Sequence, residues 1–196
     1  MLDLTAETQQ DPRAELVICA YDADEGSWLP NDYLSGEPWG PAGARAVAVN
    51  ADRPETLAQT LSECLKDQRC RGLLLVGRTR RSDAFRLQIR AENLDLDGKS
   101  RLDRTGPSSA RATAPAAEIV RALAEAGLRA DASSETEPDT GSYLLYRILV
   151  ALSEQVDAPY VALLRAPMDS EAQTLSRGVR AAASAMTRNL APRARH

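Results

Sequence analysis

Short apolar runs alternate along this chain with segments whose apolar residues recur at helical spacing. Four runs have the length and apolar content of buried parallel strands. They are Leu16 to Ala20, Ala44 to Val49, Gly72 to Val76 and Tyr160 to Leu164. Arg86 to Asn93 alternates only loosely between apolar and polar residues, which predicts a strand in an antiparallel excursion.

Four helices are predicted between these strands. Pro54 can open the first helix, because proline is tolerated in a first helical turn. The second helix runs from Pro115 to Ala126, with Gly127 as its C-terminal cap. The third runs from Gly141 to Gln155, and the fourth is capped by Asp169 or Ser170 and ends near Arg188. Alternating strands and helices predict a single-domain α/β/α sandwich, with a mostly parallel central sheet and helices on both faces.

Length and charge narrow the class of protein. The 196 residues suffice for one domain, which we place at residues 15–188, between a flexible N-terminus (1–14) and a flexible arginine-rich tail (189–196). The net charge of −4 argues against general binding of nucleic acid. No apolar run approaches the roughly 20 residues that span a bilayer, and the polar start lacks the apolar core of a secretion signal. We therefore expect a cytoplasmic protein that does not bind membranes.

The histidine and cysteine content limits the chemistry. The only histidine is His196, the last residue of the chain, whereas Cys-His and Ser-His mechanisms need an imidazole held beside the nucleophile. The three cysteines, Cys19, Cys64 and Cys70, lack metal-ligand spacing and fit reduced, buried thiols. We predict no metal and no cofactor.

The segment around the third helix resembles a peptidase motif whose nucleophile is missing. Residues 141–146 read G-S-Y-L-L-Y. They are similar to the A-G-T-Y-L-C-N segment of pyroglutamyl peptidase I (pyrrolidone carboxyl peptidase), which carries the catalytic cysteine. That cysteine position falls on Leu145, whose side chain cannot form a thiolate. Ser142 is no substitute, because it lies three residues early and has no histidine to activate it.

Two further stretches extend the resemblance and lack the other catalytic residues. Val76-Gly77 and Ala91-x-Asn93 match the family's strand end and its later E-R-x-A-x-N signature, so the catalytic glutamate falls on Gln88. The family's G-F-I-H-V-P, aligned on Tyr160-Val161, puts the catalytic histidine on Ala162.

The loop expected to shape the lactam pocket also differs from the family. There the sequence T-G-F-E-P-F-G supplies two aromatic residues, of which one survives here as Tyr21 and the other is Asp24. Burying an aspartate against an apolar ring costs several kcal/mol unless it is paired. We expect it to pair with an arginine that follows Gly77, and we expect pyroglutamate not to bind. The arginines are Arg78, Arg80 and Arg81.

The resemblance implies a pyroglutamyl-peptidase-like protein that lacks the catalytic Glu, Cys and His and acts by binding. We expect its partner to be a small molecule, a peptide or a protein. The sequence also allows the chain to form a homo-oligomer. The alternative is an active hydrolase of amide or pyroglutamyl substrates that uses non-standard residues. The candidate ligand-binding residues are Tyr21, Asp24, Gly77, Arg78, Gln88, Asn93 and Tyr143.

Overall fold

The computed structural model describes residues 16–21, 44–48, 53–66, 70–155 and 157–190. In chain order, the strands within these ranges are β1 (Leu16–Ala20), β2 (Ala44–Ala48), β3 (Gly72–Thr79), β4 (Phe85–Gln88), β5 (Arg90–Glu92), β6 (Ser109–Arg111), β7 (Ala130–Ser133) and β8 (Tyr160–Pro167). The helices are α1 (Pro54–Lys66), α2 (Ala116–Glu125), α3 (Thr140–Ala151) and α4 (Ala172–Asn189). The predicted flexible segment 1–14 and tail residues 191–196 fall outside these ranges.

Six of the described strands form one sheet in the order β2-β1-β3-β8-β4-β7. Strands β2, β1, β3 and β8 run parallel, so their carboxyl ends lie at one edge of the sheet. Strand β4 runs antiparallel to β8 and parallel to β7, so it begins at the edge where β8 ends. Ligands of open α/β sheets bind outside this carboxyl edge.

Alternate side chains of the central strands enter two apolar layers, one on each face of the sheet. On one face, Leu74 and Leu164 pack in a cluster with α2 and α4. On the other face, Leu75 and Leu163 pack in a cluster with α1 and α3. Burial on both faces explains why the strands read as continuous apolar runs. The predicted α/β/α sandwich with a mostly parallel sheet is confirmed.

The four predicted parallel strands all belong to the sheet, and β3 and β8 each extend three residues beyond the predicted end. The antiparallel excursion is also confirmed, although it is divided into β4 and β5, and β5 pairs with β6 in a separate ribbon. Strand β7, with the sequence A-D-A-S, was not predicted. It forms an edge of the sheet with two of its four residues exposed, and such positions accept polar residues.

The helix ends follow local rules with two exceptions. Gly127 has a φ of +75° directly after α2, as its predicted capping role requires. Helix α4 begins at Ala172, and its N-cap is Glu171, not Asp169 or Ser170, since the Ser170 N–H closes a turn onto the Pro167 carbonyl oxygen. Helix α3 ends at Ala151, earlier than predicted. No helix among the described residues has the length and apolarity needed to cross a membrane.

Candidate functional site

A completely buried arginine, Arg165, lies near the carboxyl end of β8. Arginine is almost never fully buried unless its charge is paired. Its Nη1 donates to Oδ2 of Asp139 at 2.6 Å, and its Nη2 donates to Oδ1 of the same carboxylate at 2.8 Å. This bidentate pairing fixes both the charge and the plane of the guanidinium.

The two carboxylates beside Arg165 also hold neighbouring elements in place. Asp139 is the N-cap of α3, and its Oδ1 accepts from the N–H of Ser142 at 3.0 Å. Glu137 Oε1 lies 3.8 Å from Arg165 Nε and accepts from the hydroxyl of Thr79 at 2.7 Å. The ends of β3 and β8 are therefore tied to the start of α3 through one buried cation.

The pKa of Arg165 lies above its ordinary value. Burial on its own would lower the pKa of this group. The hydrogen bond with Asp139 opposes burial, as do the electrostatic interactions with Tyr21, Asp139 and Glu137, and together they prevail. Arg165 is therefore permanently protonated and cannot accept a proton from a nucleophile or a water molecule.

Gln88 and Ser142 complete the hydrogen bonds of this cluster. Gln88 Oε1 accepts from Arg165 Nε at 2.9 Å, and Gln88 Nε2 donates to the Arg90 carbonyl oxygen at 2.8 Å and to Ser142 Oγ at 3.0 Å. Ser142 Oγ also accepts from Arg165 Nη2 at 3.1 Å. Gln88 is fully buried, so its amide serves internal partners.

Tyr21 fills the space between the end of β3 and the start of α3. Its side chain is almost completely buried. A Cβ added at Gly77 or at Gly141 would overlap its hydroxyl group, and a Cβ at Gly141 would also lie 2.7 Å from its Cζ. Both glycines are therefore needed for the tyrosine to enter. The ring occupies the point where the carboxyl edge of the sheet meets the N-terminus of α3.

Leu145 and Tyr143 lie in the apolar layer formed with α1 and α3. Leu145 is fully buried and Tyr143 nearly so. Desolvation by burial raises the pKa of the Tyr143 phenol, and the charge of Glu55 raises it further. Leu145 thus fills core volume one turn beyond Ser142.

Ala162, on which the resemblance places the catalytic histidine, does not join this site. Ala162 pairs with Leu74 in the middle of the sheet, whereas Gly77 pairs with Arg165 near the edge. Its side chain belongs to the opposite apolar layer from Leu145, because successive side chains of a strand point to opposite faces.

Three comparisons place this geometry among known proteins. No protein-family profile and no curated protein sequence matches the chain. Solved structures do match it. A mutant pyrrolidone carboxyl peptidase from Pyrococcus furiosus superimposes with a TM-score of 0.73 at 13% identity, over 90% of this chain and 99% of that one. The fold is that of pyroglutamyl peptidase I.

Two further solved structures of this fold also superimpose on the chain. Pyroglutamyl peptidase I from Bacillus amyloliquefaciens has a TM-score of 0.71 at 15% identity, over 89% of this chain and 97% of that one. Pyrrolidone carboxyl peptidase from Thermus thermophilus has a TM-score of 0.67 at 17% identity, over 87% and 99%. The pyroglutamyl-peptidase fold thus extends over nearly the whole chain.

The structure favours a different alignment of the histidine motif of the pyroglutamyl-peptidase family. When G-F-I-H-V-P is aligned on Pro167, its H-V-P falls on Arg165-Ala166-Pro167, and the histidine position becomes Arg165 instead of Ala162. In this alignment the two positions would be in contact, because Arg165 donates to Gln88, on which the resemblance places the glutamate.

The remaining candidate residues stabilise loops within the fold. Asn93 is buried, and its side-chain amide donates to the carbonyl oxygen of Asp103 at 2.7 Å and accepts from the Asp103 N–H at 2.8 Å. Arg78 donates to the carbonyl oxygens of Met168 and Ser170 after β8. Asp24 lies outside the described residues, so its pairing with an arginine stays a prediction.

The candidate residues Tyr21, Gly77 and Gln88 lie around the buried cluster, which also contains Arg165 and Asp139, two residues that the sequence analysis missed. Two signals could have found them. An arginine interrupts the apolar run of β8, and Asp139 stands directly before α3, where aspartate is a preferred N-cap. Among the described residues, no group of three or more His, Cys, Asp or Glu side chains is placed to hold a metal ion.

Proposed function

We propose that this chain is a catalytically inactive protein of the pyroglutamyl-peptidase fold that acts by binding. The observation that carries the proposal is the buried hydrogen-bonded cluster around Arg165. The cluster contains Gln88, on which the resemblance places the catalytic glutamate, and Arg165, on which the alignment through Pro167 would place the histidine. The side chains of Arg165 and Gln88 are engaged by partners within the fold, which supports a structural role for them.

The chemistry of the three aligned positions supports this proposal. Leu145 has no nucleophilic atom, the Gln88 amide is not a base, and Arg165 holds its proton too firmly to act as one. A serine hydrolase that uses Ser142 is the alternative. Its hydroxyl accepts hydrogen bonds from Gln88 and Arg165, neither of which can take its proton. The geometry therefore favours binding over hydrolysis.

We expect the purified protein to release no coumarin from a pyroglutamyl-coumarin substrate. The measurement is fluorescence, with iodoacetamide added in parallel to inactivate any contaminating cysteine peptidase. A Ser142→Ala variant is the matched control, because it removes the one hydroxyl of the cluster that lies on α3. Turnover that survives iodoacetamide and disappears in this variant would establish the hydrolase instead.

We also expect no millimolar binding of pyroglutamate in a calorimetric titration, because Tyr21 closes the site.

An arginine-lined groove beside the cluster is the surface we propose for binding. It has a volume of about 1190 Å³ and lies where β3 and β8 end and β4 begins. Its charged lining consists of Arg80, Arg81, Arg86 and Arg129, with Asp83 and Asp169. The excess of positive charge suits a small anion, such as a carboxylate or a phosphate.

The arginines of this groove differ in whether their side chains form ion pairs with neighbouring carboxylates. Arg129 pairs with Asp83 at 2.8 Å, and Arg86 pairs with Glu135 at 3.1 Å. Arg80 is exposed, and among the described residues its side chain makes no hydrogen bond or ion pair. The first turn of α4 adjoins the groove without a side-chain cap, so its backbone N–H groups add to the attraction for an anion.

Replacing Arg80 with alanine is expected to weaken the binding of inorganic phosphate or succinate about tenfold, the effect of one lost charge-assisted hydrogen bond. Calorimetric titration at low salt provides the measurement. Arg121→Ala is the control, since Arg121 is exposed on α2 outside the groove and pairs only loosely with Glu125 at 3.8 Å. Equal losses in both variants, or no saturable binding by the unmodified protein, would remove the groove from the proposal.

A further inference from the structure

Two cysteine side chains meet where α1 ends and the chain enters β3. Cys64 Sγ lies 3.4 Å from Cys70 Sγ, within hydrogen-bond distance for sulfur. The main chain holds them together, because the Cys70 N–H donates to the Cys64 carbonyl oxygen at 3.4 Å. The two sulfurs need to approach by only about 1.4 Å to reach the ~2.05 Å length of a disulfide bond.

The two thiols differ in their access to solvent. Cys70 is buried against the layer formed with α1 and α3, and Cys64 on the last turns of α1 is half-buried. An accessible sulfur with a second sulfur in contact is the arrangement that thiol-disulfide exchange uses, with one thiol attacking and the other resolving.

We propose that Cys64 and Cys70 form a site of reversible disulfide formation that reacts with low-molecular-weight disulfides such as oxidised glutathione. The Cys64 thiolate attacks one sulfur of glutathione disulfide, breaks its S–S bond and releases one glutathione thiolate. The Cys70 thiolate then attacks the Cys64 sulfur of the mixed disulfide and releases the second glutathione. Two protein thiols lose two electrons and two protons, and one glutathione disulfide becomes two glutathione thiols.

Cys19 provides an internal contrast. It is fully buried within β1, and desolvation raises the pKa of its thiol to about 12. A thiol without access or thiolate character does not take part in exchange. The proposal therefore assigns oxidation to two of the three cysteines.

The disulfide is expected to form without disrupting the fold. It would link the last turns of α1 to a residue two positions before β3, and the Cys70 N–H already donates to the Cys64 carbonyl oxygen. The bond restricts the unfolded chain, so the oxidised protein should melt roughly 3–8 °C above the reduced protein.

The test is to incubate the reduced protein in graded mixtures of reduced and oxidised glutathione, quench with acid and label the remaining thiols with maleimide under denaturing conditions. Mass spectrometry should show the loss of two hydrogens, with Cys19 as the one labelled cysteine. The Cys19→Ser variant should be oxidised over the same range of mixtures. In Cys70→Ser, glutathione should stay attached to Cys64, and Cys64→Ser should gain no disulfide.

Three outcomes would overturn this proposal. The first is an unmodified protein that keeps three reactive thiols in fully oxidised glutathione. The second is a disulfide that includes Cys19 or joins two chains. The third is an oxidised protein that melts below the reduced protein, because the bond would then be incompatible with the described geometry.

Discussion

Replacing Arg165 with methionine is expected to lower the free energy of unfolding by about 3–5 kcal/mol. Methionine can fill much of the volume, but it leaves Asp139 and Glu137 facing an apolar group and deprives Gln88 of its donor. The loss of one partner from a buried ion pair costs far more than the pair contributes as a whole, because the remaining charge is poorly solvated. Urea denaturation followed by circular dichroism measures the change.

Arg129→Met is the matched control for this experiment. Arg129 also pairs with an aspartate at 2.8 Å, but the side chains of Arg129 and Asp83 are 76% and 78% exposed. An exposed pair of this kind contributes about 0–1 kcal/mol. If both substitutions cost the same, the cluster around Arg165 is not the buried network described above. A cost several times larger for Arg165 confirms that burial sets the energy.

Replacing Gly141 with alanine is expected to destabilise the protein by about 3 kcal/mol, at the upper end of the cost of overpacking. The new methyl group would overlap the hydroxyl of Tyr21 and lie 2.7 Å from its Cζ. The ring is rigid and nearly buried, so it cannot move aside without shifting β1 or α3. Thermal and urea denaturation both measure this loss.

Shortening the tyrosine should reverse the sign of this effect. In a Tyr21→Leu background the space beside Gly141 opens, and alanine is a better helix former than glycine by up to about 1 kcal/mol. Gly141→Ala should then be neutral or mildly stabilising. A loss of 3 kcal/mol in both backgrounds would show that something other than Tyr21 excludes the methyl group. The comparison thus tests directly whether Tyr21 fills the site.

The parallel strands of the sheet could be predicted because they obey a local rule. Strands covered by helices on both faces must be apolar at successive positions, as in G-L-L-L-V of β3. Strand β7 escaped prediction because an edge strand with exposed side chains carries no such pattern. Its assignment depends on pairing with β4, a contact between residues more than 40 positions apart.

Some features of the candidate site could likewise be predicted from the sequence, and others could not. The sequence by itself predicted the fold class, and it predicted that Leu145 and Gln88 stand where the family resemblance places a cysteine and a glutamate, because these predictions follow from residue identity within short motifs. Only the tertiary structure decided that Arg165, not Ala162, faces Gln88. A motif can be aligned with an apolar strand at several positions, because its residues are alike. A shift by an odd number of residues moves the assigned side chain to the other face of the sheet. Only the tertiary structure likewise placed Tyr21 between Gly77 and Gly141 and Cys64 against Cys70, since such contacts arise from packing between distant elements and leave no periodic signal in the sequence.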